Sequence, residues 1–372
     1  MKLKVKKSVL LEELNKVSKA LSSKNIIPVL AGICFDAANN KLVLTASDND
    51  ITIQTLLNED NENLEIKEEG SIVIQGKYIL DIVRKLPDEY INIEVVDEAK
   101  VIIYTENSEF NLNGINKNEY PAIKLEESKN KVVLSKEIFN EIINQTCFAA
   151  SMDEAKPSLT GINFNITGDI LECNSTDSYR LSRKIVNLTA NNESFNLIIP
   201  SKNLLEFSKI LTEDVDIEIN IFNNKLLFKY NNLLFQTRLI SGTYPNTSNL
   251  IPEDPILKIT LDKDVFYNTI DRTSILATDK EKNIITLEIK ENNLDLKSFV
   301  AEIGKVEERM SISNTMGENI KISFSSKYMM DALKAFSTEN VNICFFGEVK
   351  PIIINSDEDK TLTELVLPIR TY

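Results

Sequence analysis

Apolar and polar residues alternate over short stretches, then shift to a helical spacing, and the switch recurs six times along the chain. Alternation at Leu3–Val5 gives way to an amphipathic stretch at Val9–Leu21, and Ile72–Ile74 leads into Tyr78–Leu86. The pattern returns at Val132–Leu134 with Ile138–Thr146 and at Leu197–Ile199 with Leu204–Leu211. It closes with Leu257–Leu261 and Val265–Ile270, then Ile320–Phe324 and Tyr328–Phe336. Leu10, Leu14, Val17 and Leu21 fall on one helical stripe, as do Ile79, Ile82, Val83 and Leu86, so each helix buries a single face. Ser8, Ser135, Ser201 and Asp262 stand where a side-chain oxygen can satisfy the free N–H groups of a first turn.

Between the helices run period-2 strands: Gly32–Phe35 then Leu42–Ala46, Ile91–Val95 then Val101–Tyr104, Ile217–Ile221 then Leu226–Tyr230. Asn39-Asn40 and Asn223-Asn224 predict tight hairpins, because asparagine tolerates positive φ. Each half-repeat is then a strand, a helix and about three further strands, βαβββ. Two half-repeats per domain predict an α+β chain of three similar domains, with antiparallel sheets carrying helices on one face. Tyr120-Pro121 and Tyr244-Pro245 close two long segments, and Leu367-Pro368 closes the last. The polar connectors Lys124–Lys131 and Asn246–Asp254 predict domains at 1–127, 128–252 and 253–372.

Composition narrows the chemistry. The 372 residues are 42% hydrophobic and 26% charged, as in soluble globular proteins. No apolar run approaches the roughly 18 residues of a membrane span, and Glu12 and Glu13 interrupt what would be a signal peptide's apolar stretch. A cytoplasmic location without membrane attachment is expected. The four cysteines are far apart and predict buried thiols, not zinc ligands or disulfides. Histidine is absent, which removes Ser-His-Asp and Cys-His nucleophiles and histidine-ligated metals. Neither GxxxxGK[ST] nor GxGxxG occurs. No catalytic residue, metal or cofactor is therefore expected. A net charge of −14 argues against duplex binding on average. Distribution matters more, however. Lys6, Lys7, Lys16, Lys19 and Lys24 cluster in the first helix region, and Lys77, Arg84 and Lys85 in the second. Lys202 and Lys209 follow in the fourth, Lys327 and Lys334 in the sixth. Glu12, Glu13, Asp81, Glu206 and Asp331 stand among them, and the third and fifth helices are slightly acidic. The bias is modest and uneven and, taken alone, favours solvated helix faces.

Five stretches carry a family resemblance: Lys24–Leu30 followed by Gly32, Pro157-Ser158-Leu159-Thr160-Gly161-Ile162, Ser175–Leu181, Ser241-Gly242-Thr243-Tyr244-Pro245, and Leu365–Arg370. In this order and at these intervals the chain resembles, over its whole length, the β sliding clamps of bacterial DNA polymerase III. The resemblance implies a head-to-tail homodimeric ring, helices lining the hole and sheets outside, that encircles duplex DNA without reading sequence and confers processivity. It implies partners in the polymerase III alpha subunit, the clamp loader, other polymerases and mismatch-repair proteins, and a nucleoid-associated location. These partners would enter a cleft at Leu159, Thr176, Ser178, Tyr179, Arg180, Leu181, Pro245, Leu250, Pro351, Leu365, Leu367, Pro368 and Ile369, with Thr176 and Arg180 giving polar direction at the rim. DNA would face Lys24, Lys77, Arg84, Lys156, Lys202 and Lys334. The dimer interface would join Phe110 and Leu112 to Ile275 and Leu276. Glu109 would there face Glu302, Glu307 and Glu308, predicting a closure weakened by like charge.

Three departures from the family stand out. Ser178 replaces a frequent glycine, so the turn after Asp177 is expected to differ; Asn249 stands where some members carry arginine; Thr371-Tyr372 extend past the usual end. Two other readings compete: a repeat-built peptide-binding scaffold that never encircles DNA, and a carboxylate-dependent hydrolase, for which the sequence offers no motif.

Overall fold

The computed structural model describes all residues except 22–26, 61, 98, 278–282, 291–292, 313–315, 318 and 371–372; the side chains of 190–192 and 316–317 are also undescribed. Each expected strand–helix pair forms. The helices are α1 (Lys7–Val17), α2 (Gly76–Lys85), α3 (Lys136–Thr146), α4 (Ser201–Ser208), α5 (Lys263–Ser274) and α6 (Ser326–Lys334). Helix α4 stops at Ser208 because Ile210 and Leu211 enter tight turns, their N–H groups bonding Phe207 and Ser208 carbonyls at 2.9 and 3.4 Å.

Two of the cap expectations change. Asp262 does cap α5, accepting the Val265 N–H at 2.8 Å. Ser8 lies inside α1, because strand Lys2–Lys6 runs directly into the helix. Ser201 is the first residue of α4, and its hydroxyl donates instead to the Thr160 carbonyl at 2.7 Å. Among the hairpins, Asn39 and Asn40 adopt φ of 53° and 59° as expected, whereas neither Asn223 nor Asn224 has positive φ. That turn is closed by the Phe222 N–H donating to the Lys225 carbonyl at 3.1 Å, and Asn231 (φ 50°) takes the left-handed position one turn later.

The chain gathers into two compact units, Met1–Glu137 with Glu206–Leu239, and Ile138–Leu205 with Ile240–Tyr372. In the first, one antiparallel sheet runs Leu64–Glu68, Lys2–Lys6, Tyr90–Asp97, Lys100–Tyr104, Glu109–Asn113. A longer one runs Lys131–Leu134, Ile217–Ile221, Lys225–Tyr230, Leu233–Arg238, Ile51–Asn58, Lys41–Ser47, Gly32–Ala38, Gly70–Gln75. Phe235 pairs with Ile53 across its middle, so this sheet spans the connector Lys124–Lys131. Phe207 from α4 anchors the core, its ring centroid 4.8 Å from Phe228 and 4.9 Å from Phe235.

In the second unit, one sheet runs Gly161–Thr176, Arg180–Pro200, Leu362–Val366, Ile352–Asn355, Asn340–Phe345, Leu257–Asp262, Met316–Gly317. The other runs Gly304–Ser311, Asn293–Val300, Ile284–Lys290, Ile320–Ser325. Phe266 and Ile270 of α5, Met329 and Leu333 of α6, and Phe324 are fully buried in its core. Leaving water is worth roughly 1.5–3 kcal/mol for each such side chain. All four cysteines are buried free thiols, and burial pushes the Cys147 thiol up to about 12. No helix among the described residues is long and apolar enough to cross a membrane.

Candidate functional site

Strand side chains alternate between the two faces of a sheet. Along Asn340–Phe345 and Ile352–Asn355, Val341, Ile343, Phe345, Ile352 and Ile354 join the main core of the second unit. The intervening Cys344 and Ile353 do not. With Phe346, Leu181 and Leu365 they form a separate apolar cluster, against which the partly buried Ile251 and Leu367 pack. Leu181 stands directly opposite Leu365 across the sheet. Leu250 and Tyr179 are 48% and 61% exposed. An apolar floor with apolar side chains left standing in solvent beside it is what a peptide's aliphatic anchor requires.

A second small cluster joins Leu159, Ile198 and Tyr244, with Ile240 against it. Gly161 permits this packing: a Cβ there would lie 2.8 Å from the Ile199 carbonyl oxygen and 2.9 Å from Ile240 Cδ1. The buried Tyr244 hydroxyl accepts the Thr176 N–H at 3.0 Å and so ties this cluster to the turn above the floor.

That turn, Asp177–Tyr179, joins strands Gly161–Thr176 and Arg180–Pro200. Thr176 is buried; its hydroxyl donates to the Arg180 carbonyl and accepts the Ser178 N–H at 3.1 Å. One oxygen of Asp177 accepts the N–H groups of Tyr179 and Arg180 at 2.9 and 3.1 Å. Ser178 adopts φ 81°, a conformation that glycine takes freely and serine seldom does. The ladder then extends beyond Val366, with the Leu367 N–H donating to the Tyr179 carbonyl at 2.9 Å.

Of the remaining cleft candidates, Pro245 and Ser178 are exposed, while Pro351, Leu367, Pro368 and Ile369 are half-buried. The polar rim expected from Thr176 and Arg180 is not free. The Thr176 hydroxyl is consumed by the turn, and Arg180 is bonded to two carboxylates, Asp177 and Asp331. Cys344, Phe346 and Ile353 were missed. The apolar run Ile352-Ile353-Ile354 was their signal, because a strand without alternation is buried on both faces.

Models of the N-terminal, central and C-terminal domains of the DNA polymerase III beta subunit match residues 1–124, 133–246 and 248–370. The chain belongs to that family, the sliding clamps of DNA replication. It is 39% identical over 376 residues to the beta sliding clamp of Staphylococcus epidermidis and 38% identical to that of Staphylococcus aureus, each match covering 100% of both chains. The sliding clamp from Bacillus subtilis superposes with a TM-score of 0.97 at 37% identity, and the beta chain from Streptococcus pneumoniae with 0.96 at 33%, both over 100% of either chain.

Outside the cleft, every described cation assigned to DNA is exposed: Lys77 and Arg84 on α2, Lys156 before the Pro157–Thr160 turn, Lys202 on α4 and Lys334 on α6. Arg84 lies 3.9 Å from Asp81, and the Lys334 ammonium 5.2 Å from the Tyr267 ring centroid. Lys24 and Thr371-Tyr372 lie outside the described residues.

The interface candidates occupy open ground. Glu109–Asn113 and Gly304–Ser311 are outer strands of their sheets. Phe110 is 37% and Ile275 76% exposed, with Leu112 and Leu276 half-buried. Two of the three acidic partners expected to repel Glu109 are paired with cations, Glu307 within its own sheet and Glu308 with α5. Glu307 accepts Lys305 at 2.8 Å and Lys297 at 3.1 Å, and Glu308 accepts Arg272 at 2.9 Å. These bonds hold both carboxyls below their ordinary range. No three His, Cys, Asp or Glu among the described residues are grouped to hold a metal ion.

Proposed function

We propose that two copies close head to tail into a ring around duplex DNA, acting as a non-catalytic processivity factor in the cytoplasm, with the apolar cleft tethering the polymerase III alpha subunit, the clamp loader and repair proteins. The repeats are read as domains at 1–127, 128–252 and 253–372. The observation that carries the proposal is the buried Leu181, Cys344, Phe346, Ile353 and Leu365 floor, a cluster separate from the main core. The partly buried Ile251 and Leu367 pack against it, with the exposed Leu250 next to Ile251 in the chain. Short apolar peptides bind such a floor modestly, since ordering the peptide opposes the gain.

The outer strands Glu109–Asn113 and Gly304–Ser311 support closure, because each leaves one row of backbone groups open to a second copy, with Phe110 exposed on the first and Ile303 exposed just before the second. Exposed cations on α2, α4 and α6 support loose, sequence-indifferent attraction to phosphates. A ring held by topology needs no tight contact, which reconciles DNA with a net charge of −14.

Titration with a fluorescent QLSLPL peptide, beside a scrambled control and the Leu367→Ala variant, tests the cleft. Saturable micromolar binding by the native order alone, weakened in the variant, is expected; no binding to folded protein would return the cleft to open question. Sedimentation tests the ring. A monomer at micromolar concentration would favour the scaffold that does not encircle DNA.

A further inference from the structure

We propose that Arg180 is a positioning residue, fixing the 176–181 turn against α6, and that the cleft therefore recognises apolar anchors without a cationic contact from this side chain. The inference rests on the cleft reading above and specifies which ligand chemistry that cleft rewards.

Strand parity places Arg180 away from the floor. Leu181 pairs with Leu365, both members of the separate cluster, whereas Arg180 pairs with Val366, a residue of the main core. Neighbours along a strand face opposite ways. Arg180 thus shares the core-side face with Ser182, whose hydroxyl reaches the Gln145 carbonyl and Glu364.

Its contacts agree. Nε donates to Asp177 Oδ2 at 3.0 Å and Nη1 to Asp331 Oδ2 of α6 at 2.7 Å. The guanidinium carbon lies 4.5 Å from the Tyr328 ring centroid and 5.4 Å from that of Phe148. The side chain is only 11% exposed. Two carboxylates neutralise the charge and two aromatic rings flank the group, so an acidic peptide residue would find little left to bind. Only a planar fork makes both bonds while stacking; a lysine keeps the charge and loses the geometry. Through Asp177, which accepts the Tyr179 and Arg180 N–H groups, the fork sets the path of the backbone leading to Leu181.

The test titrates a fluorescent QLSLPL peptide, its single-alanine variants and versions carrying an added aspartate against wild type, Arg180→Lys, Asp331→Asn and the double variant. Amide hydrogen exchange is followed in the peptide-free proteins. Either single variant is expected to weaken binding roughly tenfold, the scale of one charge-assisted hydrogen bond. The factor should be the same for every peptide, and the double variant no weaker than the weaker single. Added aspartates should gain no affinity from Arg180. Exchange at 176–181 and 326–334 should accelerate together in both variants. A factor that vanishes with one peptide substitution would make Arg180 a direct ligand and overturn the proposal, as would unchanged exchange. If wild type binds no peptide, the cleft reading fails, and the exchange arm still decides whether Arg180 holds the turn.

Discussion

The two faces of one sheet in the second unit bury the same kinds of residue to different ends. On one face Val341, Ile343, Phe345, Ile352 and Ile354 meet Phe266, Phe324 and Leu333, and the core is closed. On the other, Cys344, Ile353 and Leu365 form a small buried cluster with Phe346 and Leu181, with the partly buried Ile251 and Leu367 packed against it. On the proposed reading, chemistry does not separate the core from the binding floor; the size of the cluster and what lies over it do. The closed face converts apolar area into stability, while in the proposed cleft the open face would keep part of that gain available to a partner.

Substitutions should pull the faces apart. Phe324→Ala on the closed face is expected to cost about 3–5 kcal/mol in urea unfolding, with peptide affinity of the folded fraction unchanged. Ile353→Ala on the open face should cost about 2 kcal/mol, the low end for such truncations, yet abolish most peptide binding. Equal stability losses at the two positions would erase the distinction.

A third change probes the polar weak point of the closed face. Glu364 is buried, and burial raises its carboxyl well above the ordinary range, against a hydrogen bond from Ser182. A hydroxyl has one hydrogen, and Ser182 contacts both the Gln145 carbonyl and Glu364 Oε1. A protonated Glu364 resolves this by donating to Ser182. Its contribution is fully present below the unfolded carboxyl's 4.5 and is lost as pH rises toward the folded value, because the unfolded chain releases the proton first. Glu364→Gln should therefore stabilise more at pH 8 than at pH 5; a difference independent of pH would mean the carboxyl is charged in the fold.

Smaller effects follow at the rim. Leu367→Ala, half-buried, should cost under about 1 kcal/mol while weakening the peptide severalfold in the same titration. Ser178→Gly should raise the unfolding free energy slightly, by about 0.5 kcal/mol in urea unfolding, since relief of φ 81° is partly offset by glycine's entropy.

The six helices, the consecutive hairpins and the repeat were legible because periods of two and 3.6 are local properties. So was the floor's raw material, in the unbroken Ile352–Ile354 run. The role proposed for Arg180 was not. Asp331 lies 151 positions away in sequence, and only the fold brings it to Arg180. Strand parity could have flagged the arginine once its pairing with Val366 was known, but register is fixed by tertiary contacts. The mistaken cap at Ser8 has the same origin: the strand before it delivers the chain already turning into the helix.

The sheet that passes from Ile51–Asn58 to Leu233–Arg238 changes what a cut chain would be. Cleavage in Lys124–Lys131, the natural place to divide the chain by sequence, leaves an N-terminal fragment whose Ile51–Asn58 strand has lost its neighbour. Val43, Thr45 and the rest of the adjacent strand would stay covered, but a row of amides and carbonyls would open along one rim. Such a fragment is expected to self-associate or precipitate rather than behave as a small soluble domain. For expression and proteolysis alike, the indivisible piece follows the hydrogen-bonded ribbon and not the linker.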